Sequence, residues 1–316
     1  MSAPTSGLAD VFDLESTGPD RWQGSNDGVR LPQLFGGQLV AQSILAAGHT
    51  VTDGKAISSV HTHFLRPGST NRATEFSVDR LRDGKRLSTR GVDVHQDGRL
   101  VCRSTVSASS IDEGITHSRA VPTALPPTEC VTLQELAEAD GGLGEVWEEF
   151  SAIEIRVSPL DSHSPTAHSA APPRNIWMRS AQRLSDDPLI HVAALAYASD
   201  LMLMATALTP HGYDIGQEHS LDTDWIGVSL DHTMWFQRPV RADEWLLFEH
   251  ATPTAHAGRA VVNAAAFDRS GLQICQITQE ALLMPAPSDS RLFLQTIRYG
   301  LAVPQGARPM ISGWYE

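Results

Sequence analysis

The chain has 316 residues, 41% of them hydrophobic and 19% charged, which predicts a globular protein of about two domains and excludes a disordered chain. Its 24 basic and 37 acidic residues give a formal net charge of −13, which argues against a nucleic-acid binder but leaves room for a local basic patch. The three cysteines, Cys102, Cys130 and Cys275, lack paired spacing, and the first ten residues lack the pattern of a signal peptide. We therefore expect a cytoplasmic protein.

The first half of the chain is predicted to contain a short strand, a long helix and an antiparallel sheet. The strand is expected at residues 20–24, and the helix at residues 35–51, FGGQLVAQSILAAGHTV, which lack proline and are rich in alanine and leucine. Four predicted strands follow: SSVHTHFLRP, TEFSVDRLRDG, RLSTRGVDVHQDG and LVCRSTVSAS. Asp-Gly turns at 83–84 and 97–98 indicate hairpins, so we expect a meander.

A linker, residues 113–149, is predicted before a second half of the same make-up, and residues 157–173 are predicted to form an exposed loop. A strand is expected at 174–181 and a helix at 191–208, HVAALAYASDLMLMATAL. The apolar part of this helix is shorter than the ~20 residues that span a bilayer and contains Asp200, so we expect a core helix and no membrane insertion. The predicted strands are WIGVSLDHTMWFQRP, EWLLFEHATPTA, RAVVNAAAFDRSG and LQICQITQEALLM.

The two halves form an internal repeat. HTHFLRPG matches TMWFQRPV 172 positions later, and DGRLVC matches SGLQIC 173 positions later. Each half is therefore predicted to be an α+β unit in which a curved antiparallel sheet closes on one long helix; an ordinary α+β sandwich in each half is the alternative. The expected bounds are 8–112 for the first repeat, 113–149 for the linker, 150–290 for the second repeat and 291–316 for a tail.

Two polar residues of the second half have no counterpart in the first. Asp200 is a carboxylate in an apolar helix, which is costly unless it is hydrogen-bonded or used in chemistry. Gln279 lies on the last predicted strand, where the first half has Val106. A carboxylate bonded to the backbone and an exposed strand glutamine are the structural alternatives, but polar groups found in one repeat alone are candidate site residues.

Ser229, Asp231 and His232 invite interpretation as a serine-nucleophile triad. On a regular strand Ser229 and Asp231 share one face and His232 points to the other, so the triad geometry is not expected. The G-x-S-x-G pattern is also absent. We expect Ser229 to face the helix as a hydroxyl donor, or to be a tolerated strand serine.

Other residues are weaker candidates for ligand binding. His61 belongs to an H-x-H strand pair, which alone is poor evidence for a metal, and a structural role or a ligand contact is expected instead. Gly37 precedes the first helix and permits close backbone approach to a ligand. Arg66 and Arg90 are candidate partners of an anionic ligand, although a solvated surface role is the default for each.

The repeated segments resemble the acyl-CoA thioesterase II family, the TesB-type thioesterases. The blocks FGGQLVAQSILAAGHTV, HTHFLRPG, RLRDGKRLSTR, YASDL, SLDHTMWFQRP and ITQEALLMP carry the resemblance, in order, from about Phe35 to Pro285. The resemblance implies the double hot dog fold, in which two repeats each wrap an antiparallel sheet around a long helix. It also implies acyl-CoA substrates, fatty acid metabolism, no metal and no organic cofactor.

Carried over residue by residue, the family's catalytic set falls on Asp200, Ser229 and Gln279. The resemblance implies that Asp200 deprotonates a water held by Ser229 and Gln279, although some members have threonine at the serine position. We expect His61, Gly37, Arg66 and Arg90 to contact substrate, and the chain to form a homodimer or a higher homo-oligomer. The alternatives are a non-hydrolytic acyl-CoA-binding protein and an enoyl-CoA hydratase-type enzyme that pairs His61 with Asp200.

Overall fold

In the computed structural model of the protein, the described residues are 7–29, 31, 33–52, 54–111, 113–139, 150–158, 171–213, 215 and 224–286. The predicted tail, 291–316, and most of the predicted loop at 157–173 lie outside these ranges, as does the end of the predicted linker.

The described helices include the two long helices that the sequence predicts. The α-helices are α1 Leu8–Phe12, α2 Gly36–Gly48, α3 Leu133–Ala139 and α4 Pro188–Ser199, and 3₁₀ helices occur at Pro127–Glu129 and Met204–His211. The strands are β1 Leu14–Gly18, β2 Arg21–Gly24, β3 Ala56–Phe64, β4 Thr74–Asp83, β5 Leu87–Gln96, β6 Arg99–Ser109, β7 Val131–Thr132, β8 Ile153–Val157, β9 Arg174–Ser180, β10 Trp225–Ser229, β11 Asp231–Phe236, β12 Leu246–His256, β13 Arg259–Phe267 and β14 Gln273–Pro285.

Within the described residues, fourteen strands form one antiparallel sheet in the order β1-β2-β4-β5-β6-β3-β11-β14-β13-β12-β9-β8-β7, with β10 also paired to β14. The predicted hairpins β4-β5 and β5-β6 are confirmed, and Asp97 and Gly98 adopt the positive φ values of a tight turn. The four-strand meander is wrong in one respect, because β3 pairs with β6 and not with β4. Strand β3 ends at Phe64 and β4 begins at Thr74, so the two strands are separated by a connection longer than the two to five residues of a tight hairpin.

The internal repeat is confirmed by equivalent pairings in the two halves. Phe64 pairs with Cys102 in the first half, and Phe236 pairs with Cys275 in the second. The arginine after each phenylalanine also repeats its bond. Arg66 Nη1 donates to the Leu100 carbonyl at 3.0 Å, and Arg238 Nη1 donates to the Gln273 carbonyl at 2.5 Å.

The two repeats join through an antiparallel pairing of β3 with β11, so that the sheet continues from one half into the other. Helices α2 and α4 pack against each other on its inner face. Most residues of each helix are buried. The end of one helix is thereby brought beside the beginning of the other, which places the site described below.

The second long helix is shorter than predicted. It begins after Asp187, whose carboxylate accepts from the Leu189 N–H at 2.9 Å, and it ends at Ser199 rather than at Leu208. Asp200 is its C-terminal cap, and Met202 has a φ of +60°, which an α-helix cannot accommodate.

The segment Pro188–His211 is long and apolar enough to cross a membrane by length and composition alone. Of its most apolar 18-residue stretch, 67% is buried inside the protein. Much of this burial is contact between α4 and α2. In this structure the segment forms part of the protein core.

The predicted linker contributes to the second half of the sheet. Strand β7, which it contains, pairs with β8. Upstream of β7 the linker lies over the sheet, where the Trp177 Nε1–H donates to the Leu125 carbonyl at 2.9 Å and Arg119 stacks over the Phe267 ring.

Polar side chains of the first long helix serve the fold. Gln42 is buried on α2 and donates to the carbonyls of Val11 and Ser25 at 2.9 and 2.8 Å. Gln38 lies one turn earlier and accepts from the Asp27 N–H at 3.0 Å. These amides fix the segments that precede α2.

We expect Gln42→Ala to lower the free energy of unfolding by about 1–3 kcal/mol, because the buried Val11 carbonyl loses its donor. Turnover of the folded variant should stay within about tenfold of wild type, or ~1.4 kcal/mol of barrier. Urea unfolding and steady-state kinetics on one preparation measure both effects. A kcat loss as large as that of Asp200→Asn would give the Gln42 side chain a catalytic role.

Candidate active site

The carboxylate of Asp200 lies at the end of α4 and the beginning of α2. Its side chain is 7% exposed, and it accepts a hydrogen bond from the backbone N–H of Gly37. The approach is so close that a Cβ on Gly36 would lie 2.7 Å from Asp200 Oδ2. The positive end of the α2 dipole therefore stabilises the charge of the carboxylate, and the site draws on both repeats.

Gln279 links Asp200 to Ser229. It is completely buried on β14, and its Nε2 donates to Asp200 Oδ1 at 3.2 Å and to Ser229 Oγ. Both amide protons are thus used. The structure brings the three predicted catalytic residues into one hydrogen-bonded cluster.

His232 also belongs to this cluster, contrary to the sequence-based expectation. Its ring is 0% exposed, with Nδ1 3.3 Å from Gln279 Oε1 and 3.7 Å from Asp200 Oδ1. On the other side of the ring, Nε2 lies 2.9 Å from Ser199 Oγ. The prediction that His232 faces away from the site is wrong.

The reason is a β-bulge, which strand alternation does not anticipate. Ser229 pairs with Ala281, whereas Thr233 pairs with Thr278. Four steps along one strand therefore match three along the other, so one residue is extra. The bulge shifts the alternation and turns the side chains of Ser229 and His232 to the same face.

Asp231 holds this bulge in place. The Leu230 N–H donates to the Glu280 carbonyl at 2.8 Å, and Asp231 Oδ1 accepts from the Glu280 N–H at 2.7 Å. A side-chain carboxylate thus replaces the backbone acceptor that the extra residue displaces. Asp231 is therefore a structural residue beside the cluster.

The first repeat has the same bulge but no polar cluster. Ile57 pairs with Ala108 and Ser59 with Ser107, which leaves Ser58 as the extra residue. The counterparts of Ser229, His232 and Gln279 are the buried aliphatic residues Ile57, Val60 and Val106. The scaffold therefore does not need polar groups at these positions. The contrast between His232 and Val60 is the sequence signal by which His232 can be found.

Burial sets the protonation behaviour of the cluster. It raises the pKa of Asp200, and the nearby His232, the Gln279 amide and the Gly37 N–H offset this only in part. Burial likewise lowers the pKa of His232 against the opposing effects of Asp200, Gln279 and Asp231. A neutral imidazole thus stands beside a carboxylate more basic than one in water, as a general base requires.

His61 is not brought to this cluster. It pairs with Thr233, while the next pair, Thr62 with His232, is buried on the inner face. His61 therefore points to the outer face, where its ring packs edge-on against Trp235 at a centroid distance of 5.4 Å. Among the described residues, no three His, Cys, Asp or Glu side chains are placed to hold a metal ion.

Arg90 and Arg66, the predicted partners of an anionic ligand, differ in their surroundings. Arg90 is 1% exposed and donates to Thr50 Oγ1 at 2.6 Å and to Asp83 Oδ1 at 2.6 Å. Binding an anion would require these internal bonds to break, so Arg90 is a structural arginine. Arg66 is exposed apart from its bond to the Leu100 carbonyl, and its contact with substrate stays a prediction.

Comparison with known proteins gives the same family for both halves. The model of the acyl-CoA thioesterase N-terminal domain matches residues 28–109, and that of the C-terminal domain matches residues 127–283. Acyl-coenzyme A thioesterase 8 of Homo sapiens is 29% identical over 298 residues, covering 89% of this chain and 91% of its own. Acyl-CoA thioesterase 2 of Haemophilus influenzae is 27% identical, and the match covers 90% of this chain and 99% of that protein.

Solved structures agree with the fold. Acyl-CoA thioesterase II TesB2 from Mycobacterium marinum is 32% identical with a TM-score of 0.74, covering 90% of this chain and 100% of that one. A hot dog fold protein from Alicyclobacillus acidocaldarius, 17% identical with a TM-score of 0.68 over 89% of this chain and 98% of that one, supports the fold alone. Matched in both repeats and along the whole of a solved relative, the chain belongs to the acyl-CoA thioesterase II family and has its double hot dog fold.

Proposed function

We propose that the protein hydrolyses fatty acyl-CoA to free fatty acid and CoA, with Asp200 as the base that activates water. The observation that carries this proposal is the buried carboxylate of Asp200, hydrogen-bonded by Gln279 and by the N-terminus of α2. Membership of a thioesterase family supports the substrate class.

In the proposed step, Asp200 takes a proton from a water whose oxygen attacks the thioester carbonyl carbon. The tetrahedral intermediate then breaks its C–S bond, the carboxylic acid is released, and the thiolate of CoA receives the proton that Asp200 had taken. Ser229 Oγ accepts from Gln279, which leaves its own O–H free to donate to the water. Holding the water in this way provides the orientation that the reaction needs.

The N-terminus of α2 also favours the negative charge that develops on the thioester oxygen. Helix N-termini carry partial positive charge, and donors aimed at a developing oxyanion lower the barrier in a buried site. A Cβ on Gly36 would lie 2.7 Å from Asp200 Oδ2, so glycine at this position keeps the helix terminus close to the carboxylate.

A panel of saturated acyl-CoAs from short to long, assayed for free thiol, tests the function, and one enoyl-CoA assayed for hydration tests the hydratase alternative. We expect thiol release and no hydration, because His61 lies on the outer face. Tight binding without thiol release would favour the non-hydrolytic alternative. Hydration of the enoyl-CoA would favour the hydratase alternative.

Ser229→Ala is expected to lower kcat about tenfold, since one hydrogen bond to the water is lost and the base remains. Ser229→Thr keeps the hydroxyl and should retain most of the activity. Steady-state kinetics of the two variants measure the difference. Equal losses in both would show that the hydroxyl does not hold the water.

The kcat of the wild-type protein is expected to fall on acidification at a pH above the ordinary pKa of an aspartate. The pKa of Asp200 is raised by burial, so the base becomes protonated at a higher pH than an exposed carboxylate would. Measuring kcat between about pH 4 and pH 8 locates the pH at which it falls. A profile that stays flat down to the ordinary range of aspartate would contradict the assignment.

We also propose the wider organisation of the protein. Residues 8–112 and 150–290 form the two hot dog repeats, joined by a linker at 113–149 and followed by a tail at 291–316, and the second repeat provides most of the catalytic groups. The three free, buried cysteines support a cytoplasmic location. A homodimer or higher oligomer is tested by light scattering, in which a 34.2 kDa species would contradict it.

A further inference from the structure

The proposed chemistry leaves one buried residue of the cluster without a role. His232 contacts Gln279, Asp200 and Ser199, yet the first repeat packs equally well with valine at the equivalent position, where Val60 is fully buried. The fold therefore does not require a histidine here. Burying an imidazole is costly unless its ring nitrogens are used.

We propose that His232 is a positioning residue for hydrolysis, whose Nδ1–H fixes the Gln279 amide so that both of its N–H groups point to Asp200 and Ser229. This inference rests on the proposed thioesterase function and assigns one more residue to the same site.

The Gln279 amide has two chemically different ends, an oxygen that accepts and a nitrogen that donates. In the observed orientation Nε2 faces Asp200 Oδ1 and Ser229 Oγ, while Oε1 faces His232 Nδ1 at 3.3 Å. The reverse orientation would bring Oε1 against the carboxylate, where two acceptors repel each other. A donor at Nδ1 stabilises the first orientation and not the second.

The acceptors beside Nδ1 favour the tautomer that this role needs, since Gln279 Oε1 lies 3.3 Å and Asp200 Oδ1 lies 3.7 Å from it. With the proton on Nδ1, Nε2 is an acceptor. Ser199 Oγ lies 2.9 Å from Nε2 and 2.8 Å from the Ala196 carbonyl, so its O–H has two acceptors within reach. Ser199 is the last residue of α4 and directly precedes Asp200, so the ring is tied to the same helix end as the base. The imidazole thereby couples β11 and β14 to the C-terminus of α4.

The charge of the ring matters as well as its position. The ionisable groups that face it are Asp200 and Asp231, and the latter is bonded to the Glu280 N–H. Burial lowers the pKa of His232, which keeps the ring neutral at neutral pH. A neutral donor orients Gln279 without forming an ion pair that would weaken Asp200 as a base.

The test compares three substitutions by steady-state kinetics on an acyl-CoA that wild type hydrolyses. His232→Val removes the donor and introduces the residue of the first repeat, and kcat should fall at least tenfold with little change in KM. His232→Asn keeps an N–H at the place of Nδ1 and should recover much of this loss. His232→Gln extends its amide past that place and should resemble valine.

His250→Val is the matched control, because His250 is also completely buried in the second repeat and contacts Thr206 rather than the cluster. Its kcat should remain within about threefold of wild type. If His232→Val does not fold, the kcat of His232→Asn is compared with that of His232→Gln. The kcat of the asparagine variant is expected to be at least tenfold higher. Equal kcat in the asparagine and glutamine variants, or a kcat loss in His250→Val equal to that in His232→Val, would overturn the inference.

The outcome separates this inference from the proposed function. Absence of thiol release by the wild-type protein across the whole acyl-CoA panel would refute the function itself, and the role of His232 with it. Hydrolysis by wild type together with unchanged kcat in all three variants would refute only the role of His232.

Discussion

Asp200→Asn is expected to lower kcat by at least 10²-fold while KM changes little. Asparagine keeps the size of the side chain and one acceptor oxygen for its neighbours Gln279 and Gly37, but it cannot take a proton from water. General-base assistance is typically worth ~10²–10⁴ in rate. Steady-state kinetics on the best acyl-CoA of the panel, with Ser229→Thr as the conservative control, measure the effect.

The same substitution is expected to raise the Tm at neutral pH. Because the pKa of Asp200 is raised in the folded protein, folding favours its protonated form. The resulting stabilisation is complete below the unfolded-state pKa and is lost as the pH rises through the folded-state pKa. At pH 7 the ionised carboxylate therefore costs stability, which asparagine avoids. A kcat near that of wild type, or a lower Tm at pH 7, would contradict this account of Asp200.

Gly37→Ala is expected to have the second largest effect, on both stability and activity. A Cβ at this position would lie 2.6 Å from the backbone oxygen of Tyr197 and 2.5 Å from the Phe35 ring. The backbone oxygen cannot move away as a flexible side chain would, so α2 must shift from α4. Overpacking of this kind costs about 1–3 kcal/mol of unfolding free energy.

The shift should also reduce kcat by about 10²-fold, the scale of losing one preorganised backbone donor in an active site, since the Gly37 N–H bonds to Asp200. Gly18→Ala is the control, because a Cβ there has nothing within 4 Å. Urea unfolding and steady-state kinetics of both variants give the comparison. Wild-type stability and kcat in Gly37→Ala would show that α2 and α4 are not packed as described.

Most of the fold was predictable because the sequence contains it twice. The match of HTHFLRPG with TMWFQRPV identified two equivalent strands, and the pairings Phe64 with Cys102 and Phe236 with Cys275 confirm their equivalence. The alanine-rich runs predicted both long helices. The end of α4 was not predictable, because leucine, methionine and alanine continue past Ser199 and the positive φ of Met202 has no sequence signature.

Less of the site was predictable, because it depends on one extra residue in a strand. Simple alternation separates His232 from Ser229, and only the bulge at Leu230 reunites them. The contribution of Gly37 needed the relative placement of the two helices, which composition does not give. Arg90 misled for a related reason. It was predicted to contact substrate because a cation can bind an anionic ligand, whereas it is buried and bonded to Thr50 and Asp83.

In the proposed mechanism water attacks the thioester and no side chain forms a covalent intermediate. Rapid quench of the protein with labelled acyl-CoA, followed by intact-mass analysis, distinguishes attack by water from attack by a side chain. Attack by water predicts unmodified protein at every time and CoA release without a burst. A burst of CoA together with an acyl adduct on Ser229 would contradict it and make Ser229 the nucleophile.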